Sequence, residues 1–432
     1  MLKLGYLANY FSLHRLKILP ICRRSRVSVN ANARMNWICC QLGARERYAV
    51  ARALHRCGML EILLTDAWFP PSNALGKTGR SLRERFHKEL ASATISASNL
   101  RVIGFELRAK IAAQRGWAQM IARNVWFQRM AVSRLSRIGR PEAPRILFSF
   151  SYAARDIFHL ARSRGWRTVL GQIDGGPLEE RIVGRLYEED AAERGQWERP
   201  PPRYWADWRE ECELADCVIV NSRWSQAALE EEGVPASKVR VVPLAYEGPA
   251  ASTEFRRQYP RAFTISRPLR VLFLGNICLR KGVGPLFDAI RLLRGEAVEF
   301  WFVGRLQVSR PDDLRDNSHV RWIGPVPHSE TDKFYRDADL FVLPTFSDGF
   351  GLTQLEAQAW KLPIITSRFC GDVVKDGQNG IVLTELSASA IAGAIKRCLW
   401  DPGLLRDLSA HAVASGQFGL TRLGERLLNV LS

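Results

Sequence analysis

The sequence has little that would tie it to a bilayer interior or to a disulfide framework. No uninterrupted apolar run approaches the roughly 20 residues needed to cross a membrane. The N-terminal apolar stretch is short and is broken by His14, Arg15 and Lys17, so it makes a poor signal peptide. The nine cysteines contain no CxxC pair and no regular spacing, which is typical of reduced, mostly buried thiols. These absences predict a cytoplasmic protein without a zinc site.

Acidic residues are scarce relative to basic ones, and the formal net charge is +18. Residues 80–145 concentrate this imbalance, with 14 arginines and lysines against four glutamates. Such a stretch attracts anionic lipid, phosphorylated substrates or nucleic acid. It is interpreted either as a solvated arginine-rich surface or as a surface that binds the inner face of an anionic membrane. No zinc-finger, RNP or basic-zipper pattern accompanies the charge, so nucleic acid is not an expected partner.

The length of 432 residues and the hydrophobic fraction of 47% are sufficient for two domains, each with its own core. We predict an N-terminal domain over 35–246, a Pro-, Ser- and Arg-rich linker over 247–268, and a C-terminal domain over 269–416. A helix over 417–432 is expected to pack back on the N-terminal domain. Residues 1–34 show no sustained period and are interpreted as an extension, a misplaced start or one extra outer helix.

Strand and helix patterns alternate on both sides of the linker, which predicts an α/β fold with two doubly wound parallel sheets facing a cleft. The first clean strand is Trp37–Gln41, followed by Gly43 and a helical pattern; the second half restarts at Arg270–Leu274. Further predicted elements are a helix over Tyr152–Arg164 and strands at Cys217–Val220 and Leu340–Leu343. The stretch from about 80 to 140 is predicted to be helical, with arginine-rich outer faces. In such sheets ligands bind beyond the carboxyl ends of the strands.

The sharpest local signal is the segment from Asp348 to Glu356, where a glycine-containing turn leads from a strand into a helix. Gly349 and Gly351 allow the backbone to approach a ligand closely. Exposed N–H groups of the new helix suit a diphosphate. The Glu356 carboxylate can accept hydrogen bonds from two vicinal ribose hydroxyls, and Asp348 can reach the hydroxyls of a sugar beyond the phosphates.

Continued through Ala357, Ala359 and Pro363, this segment resembles the acidic-x7-acidic element of retaining GT-B glycosyltransferases, especially family 4, the group 1 glycosyl transferases. Asp348 stands where the family usually has glutamate. The resemblance implies that the whole turn binds a nucleoside-diphosphate sugar, through Asp348, Gly349, Phe350, Gly351, Leu352 and Glu356.

A second element, Val271–Gly282, is similar to the GRxxxxKG motif of the same family. The resemblance makes Lys281 the partner of the donor diphosphate and places Gly275 beside the donor. Asn276 occupies the position of the usual arginine, and Arg280 is expected to supply the missing charge. In the N-terminal half, the loop after Gly43 looks like the family's first loop, in which glycine makes room for donor and acceptor.

The histidine that many relatives carry after an N-terminal-domain strand is absent here, where Phe150, Ser151 and Tyr152 stand instead. His159 is predicted to be an ordinary helix residue. The best substitute is Asp174, which follows a strand and precedes two glycines that would allow close substrate approach. The alternative role of Asp174 is that of a turn-forming residue.

The resemblance implies a retaining enzyme that transfers a sugar from a nucleotide sugar to a hydroxyl of a carbohydrate or lipid-linked acceptor, in polysaccharide, glycolipid or other glycoconjugate synthesis. Asp174, Asp348 and Lys281 are the candidate catalytic residues. Neither a metal nor a cofactor is expected, because basic residues and backbone amides would neutralise the leaving diphosphate. A sugar-nucleotide epimerase and a non-catalytic nucleotide-sugar-binding protein remain alternatives, and a nucleic-acid-binding protein is supported by charge alone.

Overall fold

The computed structural model describes residues 35–72, 82, 84–139, 144–412 and 416–431. The extension predicted over residues 1–34 lies outside the described part of the chain. The described residues form two parallel sheets, each covered by helices.

Seven parallel strands form the N-terminal sheet, in the order β3-β2-β1-β4-β5-β6-β7. The strands are β1 Asn36–Gln41, β2 Leu60–Thr65, β3 Ile95–Ala97, β4 Arg145–Phe150, β5 Arg167–Gly171, β6 Cys217–Val220 and β7 Val239–Val241. The helices that accompany them are α1 Ala49–Arg56, α2 Asn99–Ile111, α3 Gly116–Leu135, α4 Arg155–Ser163, α5 Gly176–Glu189, α6 Pro202–Leu214 and α7 Arg223–Glu231.

Six parallel strands form the C-terminal sheet, in the order β10-β9-β8-β11-β12-β13. The strands are β8 Leu269–Leu274, β9 Val298–Val303, β10 Val320–Gly324, β11 Leu340–Leu343, β12 Ile364–Thr366 and β13 Gly380–Val382. The helices are α8 Val283–Leu292, α9 Asp312–Arg315, α10 Thr331–Asp337, α11 Thr353–Ala359, α12 Ala388–Trp400, α13 Pro402–His411 and α14 Leu420–Leu428.

The two sheets confirm the predicted fold class. Their central strands are buried on both faces and consist almost wholly of apolar residues, as the strands of parallel sheets covered by helices on both sides must. Two short strands were not predicted, β3 and β13. Each has three residues and lies at a sheet edge, too short to show a period. The prediction of helices over about 80–140 was therefore wrong at Ile95–Ala97, and α2 begins only at Asn99.

Local backbone geometry explains why one predicted helix begins late. A helix was predicted from Tyr152 onward, but α4 begins at Arg155. Tyr152 has a left-handed backbone with φ of +73°, which a right-handed helix cannot include. The buried carboxylate of Glu211 stabilises this turn. It accepts hydrogen bonds from the backbone N–H groups of Tyr152 and Ala154 at 2.6 and 2.8 Å.

Arg257 is one of the residues that fasten the segment between the sheets to the C-terminal domain, together with Arg267, which pairs with Asp339. The buried guanidinium of Arg257 donates hydrogen bonds to the carbonyl oxygens of Tyr335 at 2.6 Å and Trp360 at 2.8 Å. At the other end of the chain, α14 packs against α1, and its residues Leu420, Leu423 and Leu427 join the N-terminal core. The C-terminal helix thus packs on the N-terminal domain, so the end of the chain connects the two domains.

Each sheet reverses its winding direction at one point, between β1 and β4 in the first and between β8 and β11 in the second. The loops that leave the two strands on either side of such a point diverge and leave a crevice, where ligands bind in open α/β sheets. In the C-terminal sheet these loops carry Lys281 and Asp348. Among the described helices, none combines the length and the apolar character needed to cross a membrane.

Candidate functional site

The loops after β8 and β11 touch at a glycine. Leu279–Lys281 form one 3-10 turn, and Gly282 follows with a left-handed φ of +74° before α8 begins. A Cβ atom at Gly282 would lie 1.7 Å from the carbonyl oxygen of Pro344. Only glycine fits there, because both the backbone angle and the contact exclude a side chain. This contact sets the distance between the two loops.

Lys281 and Asp348 form an ion pair where these loops meet. Both side chains are only 15% exposed. Burial alone would raise the pKa of Asp348, but the positive charges of Lys281 and Arg280 outweigh it and hold this pKa below its usual range. The carboxylate is therefore ionised at neutral pH, and the lysine side chain is fixed at the crevice.

Arg280 points to the same crevice from the residue before Lys281. Its guanidinium donates a hydrogen bond to the carbonyl oxygen of Ser347 at 2.6 Å. Burial would lower the pKa of Arg280, but the carboxylates of Glu179 and Asp348 raise it above its usual value. Two cations thus stand side by side, each with a neighbouring carboxylate, and a dianionic diphosphate would meet both of them.

The turn that follows Asp348 is shaped by its two glycines. Gly351 has a left-handed φ of +73°, and a Cβ atom at Gly349 would lie 2.3 Å from the carbonyl oxygen of Ile173 in the N-terminal domain. Phe350 is buried against Phe418, with ring centroids 5.9 Å apart. Leu352 then occupies the N-cap position of α11. The turn predicted to bind the donor is therefore in direct contact with the opposite domain.

Glu356 lies at the other end of the motif, on α11. Its Oε2 accepts a hydrogen bond from the hydroxyl of Tyr335 at 2.7 Å, and its Oε1 lies 3.7 Å from Nε2 of His328. Burial raises the pKa of Glu356, while Tyr335 and His328 oppose the rise. These two partners hold the carboxylate in a fixed direction, on the helix that follows the turn.

The other two predicted site residues of the loop after β8 are Gly275 and Asn276, which lie directly after the strand. Gly275 has a φ of +142°, and a Cβ atom at the neighbouring Gly304 would lie 1.8 Å from the Gly275 carbonyl oxygen. The ends of β8 and β9 therefore come together through two glycines. Asn276 is exposed and follows directly.

Gly43 marks the corresponding position in the N-terminal domain, at the end of β1. Its N–H donates a hydrogen bond to Oδ1 of Asp66 at 2.9 Å, and Asp66 also pairs with Arg85 at 2.7 Å. In the part of the chain that the structure describes, the hydrogen-bond partners of Gly43 are Asp66 and Gln41, so no hydrogen bond joins it to the Lys281–Asp348 pair.

Asp174 lies in the cleft beside the donor turn, and its carboxylate is tightly held. Oδ1 accepts hydrogen bonds from the hydroxyl of Tyr152 at 2.5 Å, from Nε2 of Gln172 at 2.9 Å and from the N–H of Gly176 at 2.9 Å. The bond to Gly176 is the turn-forming role considered as its alternative. Asp174 thus combines a structural bond at one oxygen with a position at the domain interface, next to Gly349.

Two residues at this interface, Glu179 and Trp224, were not found from the sequence. Glu179, on the first turn of α5, accepts a hydrogen bond from the Ser347 hydroxyl at 2.7 Å, and its Oε1 lies 3.7 Å from Nε of Arg280. Trp224, on α7, donates to the same hydroxyl at 3.0 Å. The signal at Glu179 was its spacing, five residues after Asp174 and within the helix that the Gly-Gly-Pro turn begins.

His159, by contrast, lies on α4 as predicted. It is exposed and pairs with Glu210 at 2.7 Å. Among the described residues, no group of three or more His, Cys, Asp or Glu side chains is arranged to hold a metal ion.

Comparison with known families places the C-terminal domain. Residues 268–401 match the family model of glycosyl transferases group 1. The match covers the loops that carry Lys281, Asp348 and Glu356. It confirms the resemblance seen in the sequence.

Curated relatives are named glycosyltransferases. The D-inositol 3-phosphate glycosyltransferase of Acidothermus cellulolyticus is 39% identical over 227 residues, covering 46% of this chain and 49% of the relative. The capsular polysaccharide biosynthesis glycosyltransferase CapM of Staphylococcus aureus is 30% identical over 149 residues, covering 32% and 38%. The matched part of the chain thus spans less than half the length of these relatives.

Solved structures resemble the chain over nearly its whole length. HepE of Anabaena, solved in complex with UDP, has a TM-score of 0.57 at 15% identity and covers 92% of this chain and 99% of its own. A sucrose-phosphate synthase from Thermosynechococcus elongatus has a TM-score of 0.59 at 18% identity, with coverages of 91% and 98%. The two facing parallel-sheet domains of this chain are the GT-B fold.

Proposed function

We propose that this protein is a retaining glycosyltransferase that moves a sugar from a nucleoside-diphosphate sugar to an acceptor hydroxyl. The observation that carries the proposal is the Lys281–Asp348 ion pair, buried at the switch point of the C-terminal sheet. A cation fixed there is suited to a diphosphate, and the adjacent carboxylate is suited to the hydroxyls of the sugar attached to it.

In this proposal the donor lies along the C-terminal loops, with the nucleoside towards Glu356 and the diphosphate towards Arg280 and Lys281. The two cations stabilise the charge that develops on the leaving diphosphate, without a metal ion. Their carboxylate partners hold them in place before the donor arrives, so little reorganisation is needed when it binds. Asp348 then faces the sugar rather than the nucleoside.

The acceptor enters from the N-terminal domain in this proposal. Asp174 borders the donor turn and is oriented by Tyr152 and Gln172. Its position supports a role in holding the acceptor or the donor sugar. Retention of configuration would be seen directly, by nuclear magnetic resonance, as a product whose new glycosidic bond has the same anomeric configuration as the donor.

Nucleotide-sugar binding is expected to depend on Glu356. We expect one donor in a panel of UDP-, GDP-, ADP- and dTDP-sugars to stabilise the protein against heat, by about 2.7 kcal/mol at 100 times its dissociation constant. Glu356→Ala should weaken binding of that donor about ten- to 100-fold, because two ribose hydroxyls lose their carboxyl acceptor. The measurement is a thermal-shift titration followed by calorimetry.

The control for this variant is Glu385→Ala. Glu385 is an exposed residue of the same domain, and its carboxylate accepts a hydrogen bond from the hydroxyl of Ser387. It should bind the donor as the unchanged protein does. Stabilisation by no nucleotide sugar would contradict the proposed function. A donor that is bound and epimerised without an acceptor would show an epimerase instead.

The N-terminal domain also carries a surface suited to an anionic membrane, and we propose that it docks the enzyme there, next to a lipid-linked or polysaccharide acceptor. Leu100, Leu107 and Ile111 of α2 are 80%, 57% and 85% exposed and follow a spacing of seven and four residues, so they share one helix face. Exposed basic residues lie among and just beyond them, namely Arg101, Arg108, Lys110 and Arg115. Apolar and basic side chains together match a bilayer with anionic headgroups.

Substitution on this face should release the protein from vesicles. With vesicles containing about one-third phosphatidylglycerol, Leu107→Asp/Ile111→Asp should reduce the bound fraction in co-sedimentation about tenfold, because two apolar side chains no longer insert. Ile265→Asp is the matched control, since Ile265 is 69% exposed but lies outside the basic region. Binding that is equal with and without anionic lipid would refute this docking surface.

A further inference from the structure

Glu179 reaches across the cleft from the N-terminal domain into the proposed donor site. Its Oε2 accepts the hydrogen bond of the Ser347 hydroxyl at 2.7 Å, and Ser347 immediately precedes Asp348. Its Oε1 lies 3.7 Å from Nε of Arg280, which immediately precedes Lys281. One carboxylate thus contacts the neighbours of both residues that carry the proposed function.

The fold makes room for this approach. A Cβ atom at Gly175 would lie 3.2 Å from Cβ of Glu179 and 3.3 Å from the Ser347 hydroxyl oxygen, so a larger residue would crowd the contact. Ser347 is fully buried and also accepts the indole N–H of Trp224 at 3.0 Å. The contact between Glu179 and Ser347 therefore lies inside a packed interface between the two domains.

The charges around Glu179 do not balance once a donor is present. Arg280 is the cation beside Glu179, and Lys281 pairs with Asp348 on the adjacent loop, while Asp348 and Asp174 are the carboxylates that act on Glu179. Three carboxylates therefore share two cations. A diphosphate adds about two negative charges to this cluster, which favours the protonated form of a nearby carboxylate.

Glu179 is the carboxylate best suited to become protonated when this negative charge is added. Burial raises its pKa to about 7; Arg280 opposes the rise, and Asp174 and Asp348 add to it. Asp348 is held ionised by its lysine, as described above, and cannot take this role. A diphosphate bound to Arg280 would weaken the support that this arginine gives to the ionised form of Glu179.

We propose that Glu179 is a positioning residue for the donor, which holds Ser347 and Arg280 across the cleft and takes up one proton from solvent when the diphosphate binds. The carboxylate becomes a carboxylic acid, and its bond with Ser347 persists with either partner as donor. Donor affinity is therefore highest where Glu179 is protonated and falls as pH rises through about 7. The inference rests on the proposed function, since it assumes a diphosphate at Arg280 and Lys281.

The test is proton-linked binding of a nucleotide sugar, measured by isothermal calorimetry at pH 7.5 in two buffers with different enthalpies of ionisation. The probe is whichever of UDP-glucose, GDP-mannose or ADP-glucose binds, because a diphosphate esterified at both ends has no group of its own that titrates near neutral pH. The unchanged protein should take up about half a proton per donor. Glu179→Gln should take up almost none, because the amide keeps the Ser347 contact but cannot titrate.

Affinity measured between pH 6 and pH 8.5 gives a second readout. Binding to the unchanged protein should weaken about three- to tenfold over this range, whereas binding to Glu179→Gln should stay constant. Glu188→Gln is the control on the same helix, where Glu188 is exposed and pairs with Arg199. It should behave as the unchanged protein does.

Three results would overturn the inference. Equal proton uptake by the unchanged protein and Glu179→Gln would refute the role of Glu179 alone, as would equal pH dependence of their affinities. Binding of none of the three nucleotide sugars would refute it together with the proposed donor site. If Glu179→Gln does not fold, Ser347→Ala serves instead, because loss of this hydrogen bond should move the fall in affinity to higher pH.

Discussion

Replacement of Lys281 by alanine is expected to reduce kcat/KM for sugar transfer by about 100- to 1,000-fold, the usual loss when one preorganised group that stabilises developing charge is removed. Lys281 is held at the crevice by Asp348 and would meet the diphosphate there. Its charge matters most as the bond to the leaving group breaks, so kcat should fall more than donor affinity. The measurement is steady-state kinetics with the donor identified by binding.

Two further variants separate this loss from a general defect. Lys396→Ala removes another lysine of the same domain and should leave turnover unchanged. Lys396 pairs at 3.2 Å with Glu296, which precedes β9 and so lies at the end of the strand opposite to the donor loops. Lys281→Ala leaves Asp348 buried without its partner, and therefore destabilises the domain. Lys281→Ala/Asp348→Asn should recover the lost stability but not the activity. Recovery of activity in this double variant would contradict the role of Lys281.

Replacement of Gly282 by alanine should be the most damaging small change in the C-terminal domain. The added Cβ would lie 1.7 Å from the carbonyl oxygen of Pro344, and alanine would also be forced into a left-handed backbone at φ of +74°. The loops after β8 and β11 must then separate, at a cost of more than about 3 kcal/mol. Thermal unfolding should begin at a markedly lower temperature, and nucleotide-sugar binding should be lost.

Gly284→Ala is the matched control, two residues further along the chain. Gly284 lies inside α8, and nothing is within 4 Å of its added Cβ. Alanine should stabilise this helix by up to about 1 kcal/mol, because it loses less backbone entropy than glycine. If both variants unfold alike, the contact with Pro344 does not set the loop geometry.

The repeated strand and helix patterns were sufficient to predict most of the architecture. Buried parallel strands are short apolar runs, and such runs at Cys217–Val220 and Leu340–Leu343 were located to the residue. The edge strands β3 and β13 were missed because Ile-Ser-Ala and Gly-Ile-Val are short and mix large apolar residues with small ones, so their sheet neighbours hold them in place. Strand order could not be read either, since it depends on how the helices pack.

The site residues also fall into two groups, those that the sequence predicted and those that only the structure identified. Lys281, Asp348 and Glu356 belong to contiguous motifs, in which spacing along the chain already implies a loop after a strand and a helix after a turn. Because the residues of each motif are close together along the chain, the amino-acid order alone indicated a nucleotide-sugar site in the C-terminal half.

Glu179 and its contacts depended on the tertiary structure alone. Glu179 and Ser347 are 168 positions apart, and no short-range pattern links them. Only the docking of α5 against the donor turn brings this carboxylate to Arg280 and gives it a pKa of about 7. The reason is physical: motifs encode local backbone and chemistry, whereas burial and charge balance across a cleft arise only when two domains meet.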